Sequence, residues 1–254
     1  SASAICSEIR HADARAKIVL VGGHAASLPE QTLREEECDY VCSGEGPYTL
    51  LQLVQTLRNT GDVSEVGSLC YWVGDRIAHT PPAPLVSNLD EEMPGIAWDL
   101  LPMDRYRAHN WHCFDGLQRQ PYASVYTTLG CPFKCSFCCI QAPFKEGEAA
   151  AGIKEAVNTY RRWSPKIVVD QLEHLQRAYG VRNVKFADEL FVLNKAHVEG
   201  VCNGIIERGL ELNIWAYARV DTVKEGMAPL LKRAGVNWVA LGIEAANPRV
   251  REHV

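Results

Sequence analysis

Three cysteines, Cys131, Cys135 and Cys138, stand within Thr127-Thr128-Leu129-Gly130-Cys131-Pro132-Phe133-Lys134-Cys135-Ser136-Phe137-Cys138-Cys139. Gaps of three and then two residues bring their thiolates close enough to wrap one small inorganic centre, and thiolates are the ligands that iron-sulfur clusters use. A four-iron cube held by three thiolates keeps one iron without a protein ligand. An open coordination position is where a metal centre does chemistry instead of only holding a fold. A zinc knot is the alternative. It wants four ligands, and Cys139, Cys113 or His112 would supply the fourth.

The chain that must position such a centre alternates strand and helix patterns. Ala123–Thr127 leads into the cysteines. Ser164 and Pro165 open a helix with Val168, Leu172, Leu175 and Tyr179 as its stripe, and Gly180 ends it. Val184–Asp188 reads as the next strand, and Asn194 caps a helix carrying Val198, Cys202, Ile205 and Ile206 that Gly209 closes. A strand over 212–220, a helix over 224–234 and a strand over 237–243 follow. Repeated βα units imply parallel strands with the ligand site at their C-terminal ends. Those ends carry the cysteines, Asp188-Glu189, Arg219 with Asp221, and Gly242-Ile243-Glu244, which is charge delivered to one face. The excursion over 144–163 reads as a loop over the site mouth, where Arg161 and Arg162 are solvated charges.

Before the cysteines, Lys17–Val21 is an apolar run ending at Gly22-Gly23, as in a strand buried on both faces of a parallel sheet. A helix over 30–37, a strand over 39–42, the turn Ser43-Gly44-Glu45-Gly46 and a helix stopped by Gly61 complete an α/β unit. Residues 68–73 and 76–79 flank Gly74-Asp75 as a hairpin, and Pro81, Pro82 and Pro84 begin a linker. His109, Trp111, His112 and Cys113 suggest a packed interdomain contact, and His24 a solvent-facing histidine.

Composition narrows the classes. The 254 residues are 47% apolar and 22% charged, ordinary for a globular protein. The net charge of −5 gives no basic footprint for a nucleic acid. Ten cysteines in a chain of this length argue for a reducing compartment, hence the cytoplasm. No apolar run approaches a bilayer's thickness.

The C-x3-C-x2-C spacing, with Phe137 before the last cysteine and a preceding strand ending in Leu-Gly, resembles the radical S-adenosylmethionine (SAM) superfamily. Together Val21–Pro29, with Gly22-Gly23, and Asp39–Gly46, with Gly44-Glu45, look like the last third of a Rossmann-like cobalamin-binding domain fused to many such enzymes. The resemblance implies an α/β chain with three parts: the C-terminal part of the cobalamin domain over 1–62, a hairpin and linker over 63–118, and a partial (βα) barrel over 119–254, cut at both ends. It implies a 4Fe-4S cluster on Cys131, Cys135 and Cys138, with SAM on the open iron and cleaved reductively to a 5′-deoxyadenosyl radical. Phe137 then lies beside adenine, Asp188 or Glu189 meets the SAM amino group, and Arg219 and Glu244 meet its carboxylate and ribose. Gly22, Gly23, Gly44 and Glu45 would face cobalamin. The implied reaction is cobalamin-dependent methylation of an unactivated carbon of a small molecule, with flavodoxin or ferredoxin as electron donor. An anaerobic oxidative cyclase or rearrangement enzyme is the alternative, and a non-catalytic iron-sulfur or zinc module another.

Overall fold

Capping chemistry sets the helix that follows the cysteine region. The Ser164 hydroxyl accepts from the Ile167 N–H at 3.4 Å, Pro165 occupies the first turn and Gly180, in the left-handed region at φ 64°, ends the helix. Asn194 repeats the device, accepting from the His197 N–H at 3.0 Å. The computed structural model describes residues 1–59, 61–113 and 116–251.

In chain order the elements are α1 (Ala2–Ala12), β1 (Val19–Leu20), α2 (Gly23–Ser27), α3 (Pro29–Glu35), β2 (Tyr40–Cys42), α4 (Pro47–Asn59), β3 (Leu69–Val73), β4 (Arg76–His79), α5 (Leu89–Glu92), β5 (Tyr122–Val125) and β6 (Thr128–Leu129). They continue with α6 (Lys145–Ala150), β7 (Arg161–Arg162), α7 (Pro165–Tyr179), β8 (Asn183–Phe186), α8 (Lys195–Glu207), β9 (Asn213–Arg219), α9 (Met227–Arg233), β10 (Val236–Gly242) and α10 (Pro248–Arg251). The chain divides into one unit of Ser1–Ser87 with Pro132–Thr159 and another of Asn88–Cys131 with Tyr160–Val254. These limits differ from the divisions expected at 62 and 118, and one falls inside the cysteine motif.

In the first unit the sheet order is β1-β2-β3-β4, with β1 parallel to β2 and the other pairs antiparallel. Cys6, Ile18, Leu33, Cys38, Val41 and Cys70 form its core. The expected strand buried on both faces is instead a two-residue edge strand, because β1 has one neighbour among the described residues and Val21 is exposed. The excursion is no free loop. Glu148, 3% exposed, accepts from the Thr159 N–H and hydroxyl at 2.7 Å and pairs with Lys145 Nζ at 3.0 Å. Asn158 accepts from Lys145 at 2.7 Å and donates to the Phe133 carbonyl at 2.6 Å. Buried polar groups need such partners, and here they brace the segment on itself, while the Ser43 hydroxyl donates to Glu146 Oε2 at 3.0 Å and ties it to the rest of the first unit.

In the second unit β5, β8, β9 and β10 are parallel, ordered β10-β9-β8-β5. Along β9, Ile214, Ala216 and Ala218 are buried while Trp215, Tyr217 and Arg219 are half-buried, the period of two that a strand imposes. Gly200 and Gly204 let α8 lie on α7: a Cβ on Gly200 would stand 2.6 Å from Pro165 Cγ, and one on Gly204 2.9 Å from Val169 Cγ2. That close approach fixes the first turn of α8, which carries His197. Arg161 and Arg162 stand in a strand rather than a loop: they form β7, paired antiparallel with β6, where Arg162 is exposed as a solvated charge and Arg161 is half-buried, and the Arg162 guanidinium lies 5.6 Å from the Tyr160 ring centre.

Candidate functional site

Parallel pairing brings the C-terminal ends of β5, β8, β9 and β10 to one edge of the sheet, and the two neighbouring acids after β8 have different environments there. Asp188 is fully buried and its two oxygens accept from the Thr127 N–H at 2.6 Å and from the Thr127 hydroxyl. Burial pushes its carboxyl up to about 6, while the Thr127 bonds pull the other way. Glu189 is half-buried; the Gly130 N–H faces its carboxyl group, yet Oε2 is buried with no hydrogen-bond partner. Burial, its own backbone N–H, and then the charge of Asp188 leave Glu189 at about 7. An orphaned buried carboxylate oxygen is costly. An arriving cation with N–H donors would remove that cost.

Arg219, at the end of β9, forms a two-point pair with Asp221, Nε to Oδ1 at 3.0 Å and Nη2 to Oδ2 at 3.1 Å. Glu244, past β10, is exposed and holds the left-handed region at φ 65°. Tyr160 lies close enough to Asp188 and Cys131 for their charges to raise its hydroxyl further, though burial is the larger cause of its rise to about 12. Cys131 is half-buried in this second unit.

Cys135 and Cys138 belong to the first unit, where the Cys138 N–H donates to the Cys135 carbonyl at 3.1 Å in a tight turn. Cys138, Cys139 and Phe137 are exposed. Among the described residues no three Cys, His, Asp or Glu side chains are gathered so as to hold a metal ion. In the same unit Gly22 has φ 118°, and a Cβ there would meet nothing within 4 Å; Gly23 lies near the Cys139 carbonyl, and His24 is exposed. Gly44 has an internal reason: a Cβ would fall 2.7 Å from Ser68 Oγ. Glu45 has one too, since Oε2 accepts from the Val86 N–H at 3.0 Å.

The N-terminal edge of the same parallel sheet is built of neutral amides. Asn213 Nδ2 donates to the His112 carbonyl at 2.9 Å and to Asn183 Oδ1 at 3.0 Å, and Asn237 donates to Asn213 Oδ1 at 2.9 Å. His112 Nε2 faces the Asn213 carbonyl at 3.2 Å, and Cys113 Sγ donates to Asn183 Oδ1 at 3.3 Å. The expected interdomain cluster is therefore packing within the second unit. His112 and Cys113 also fail as a fourth zinc ligand beside Cys131, because the length of a strand separates the two edges, roughly 3.3 Å per residue.

Sequence reasoning gave Thr127 and Gly130 no role beyond the motif, and passed over Tyr160 and His197. Their only signal was position, one turn or one pairing away from a strand end. With the geometry described, similarity to known proteins has a structural basis. An uncharacterized methyltransferase of Pyrococcus horikoshii is 34% identical over 238 residues, covering 93% of this chain and 47% of that protein. An anaerobic magnesium-protoporphyrin IX monomethyl ester cyclase of Synechocystis is 26% identical over 223 residues, covering 87% of this chain and 40% of that one. The chain thus spans less than half the length of either relative. A radical S-adenosylmethionine methyltransferase, TsrM, from Kitasatospora setae, solved with cobalamin and a 4Fe-4S cluster, shares the fold at a TM-score of 0.68 and 22% identity, covering 97% of this chain and 45% of that one. No described helix is long and apolar enough to cross a membrane. The family model of the Radical SAM superfamily matches residues 125–254, the stretch that holds the cysteine motif, the end of β5 and the parallel strands β8, β9 and β10, and the chain belongs to that superfamily.

Proposed function

We propose that this chain carries the cluster- and SAM-binding part of a cobalamin-dependent radical SAM enzyme that methylates an unactivated carbon of a small molecule. When bound, the cluster and SAM supply a hydrogen-abstracting oxidant made by one-electron reduction, and cobalamin supplies a methyl carrier. Cys131, Cys135 and Cys138 would hold the cluster and leave one iron open. The observation that carries the SAM assignment is the buried, unpartnered Glu189 Oε2. A carboxylate in that state suits the SAM ammonium, which brings both charge and donors. Asp188, whose oxygens are taken by Thr127, is assigned instead to holding the strand end. Arg219 and Glu244 are assigned to the carboxylate and ribose of SAM, and the exposed ring of Phe137 to its adenine. The open space at Gly22 and the backbone of Gly23 suit the approach of cobalamin, while Gly44 and Glu45 shape the neighbouring turn. A flavodoxin or ferredoxin is the expected electron donor. Similarity to the cyclase of Synechocystis supports a second reading, ring closure in place of methyl transfer.

Anaerobic reconstitution, iron and sulfide analysis, and an assay with dithionite and SAM test this reading. About four irons with matching sulfide, and 5′-deoxyadenosine as product, are expected. One zinc without sulfide would sink it. Cobalamin retained on the reconstituted chain, measured by its visible spectrum, tests the methyl-carrier assignment.

A further inference from the structure

Three buried groups at the β5 and β8 ends and the first turn of α8 form one hydrogen-bonded chain, and His197 within it has no role so far. Thr127 and Asp188 are fully buried and His197 is 3% exposed. The Thr127 hydroxyl donates to Asp188 Oδ2, and Thr127 Oγ1 lies 2.9 Å from His197 Nε2. A hydroxyl has one proton. With it committed to Asp188, the contact with His197 requires that Nε2 carry the hydrogen and donate. We infer that His197 is a positioning residue, its Nε2–H orienting the Thr127 hydroxyl onto Asp188 so that the start of the cysteine loop and the Glu189 carboxyl are held in register for SAM.

The surroundings favour that arrangement. Burial, then the nearby Arg162, hold His197 down to about 4, so the ring is neutral and has one N–H to place. Glu189, Tyr126 and Tyr160 are close enough to Asp188 to feel its charge. His197 is itself fixed, because its backbone N–H is held by Asn194 and α8 is clamped on α7 at Gly200 and Gly204. Asp188 also takes the Thr127 N–H, so one carboxylate grips both the backbone and the side chain of the residue that leads into Thr128, Leu129, Gly130 and Cys131. Loss of the histidine donor leaves the Thr127 hydroxyl held by Asp188 alone, and the grip weakens on one side. Groups that orient metal-site ligands from behind commonly contribute about 10- to 100-fold in affinity.

This inference rests on the reading of Glu189 as a SAM contact, and its test separates the two. In the full chain without cofactors, nitrogen-15 NMR should find His197 as the Nε2–H tautomer; the Nδ1–H tautomer would overturn the relay. In His197→Ala, hydrogen exchange at the Thr127 amide should accelerate about tenfold while amides of β9 keep their rates, and SAM titrated into the reconstituted protein should bind about tenfold more weakly. His197→Gln, which keeps a donor, should restore both. Uniform acceleration in all strands, or no rescue by glutamine, would reduce His197 to packing. If His197→Ala does not fold, the tautomer and the glutamine variant decide. If SAM fails to bind the unaltered protein, the SAM assignment falls, while the tautomer and exchange still judge the relay.

Discussion

The two edges of one parallel sheet are constructed on opposite principles. At the N-terminal edge Asn183, Asn213 and Asn237 exchange hydrogen bonds with each other and with the His112 backbone, and the groups are neutral. At the C-terminal edge two carboxyls stand side by side, their protons held more tightly than usual, and Glu189 Oε2 has no partner. A satisfied neutral network stabilises a fold; an unsatisfied buried acid is tolerated where something else is to bind. Both edges bury polar atoms, so burial alone does not tell function from structure. What separates them is charge joined to a missing partner: neutral amides pair at one edge, and at the other two neighbouring acids stand together, one with an unpartnered oxygen.

The largest effect that would sharpen this contrast is loss of the metal centre. Cys131→Ala should drop the iron of the reconstituted protein from about four per chain to near zero, with the melting temperature of the cofactor-free protein unchanged. An iron content like that of the unaltered protein would remove Cys131 from the ligand set. Next in size are losses of stability at groups that are already satisfied. Asn213→Ala leaves the His112 carbonyl and the Asn237 amide without their partner and should cost about 2–3 kcal/mol in urea unfolding, with SAM affinity unaltered. Asp188→Asn should cost a similar amount, about 2–3 kcal/mol, by replacing a charged acceptor of the Thr127 bonds. A drop in SAM affinity from the asparagine edge, with the fold intact, would break the comparison.

The alternation of helix and strand after Ser164 was legible because its signals are local: a cap, a proline, a stripe and a glycine, all found where the structure has α7. Four parallel strands then followed from topology. The choice between Asp188 and Glu189 was not legible, since adjacent acids look alike until Thr127 and Gly130 are known to face one each. Nor could sequence assign the 132–159 segment, whose tie to the rest of the first unit runs through the Ser43 hydroxyl and Glu146, far apart in the chain. His197 gave no sign because a single histidine on a helix has no pattern.

The smallest effect is a slope. Glu189 has its pKa raised to about 7 in the folded protein against an ordinary 4.5, so the folded state holds the proton more tightly than the unfolded chain between those values. Its ionisation therefore removes stability as pH rises from 4.5 to about 7, and the full penalty stands above that range. Unfolding of the cofactor-free protein measured across this window should show that decline, and Glu189→Gln should make it shallower, leaving the part that comes from Asp188, raised to about 6. An unchanged slope would mean that the carboxyl is less buried than its contacts indicate.

Calorimetric titration of SAM into anaerobically reconstituted Glu189→Gln tests the central claim most directly. The account predicts an affinity lower by about 10- to 100-fold, the loss of one charge-assisted contact, with iron content like that of the unaltered protein and a melting temperature no lower. Undiminished SAM affinity in that variant would contradict it.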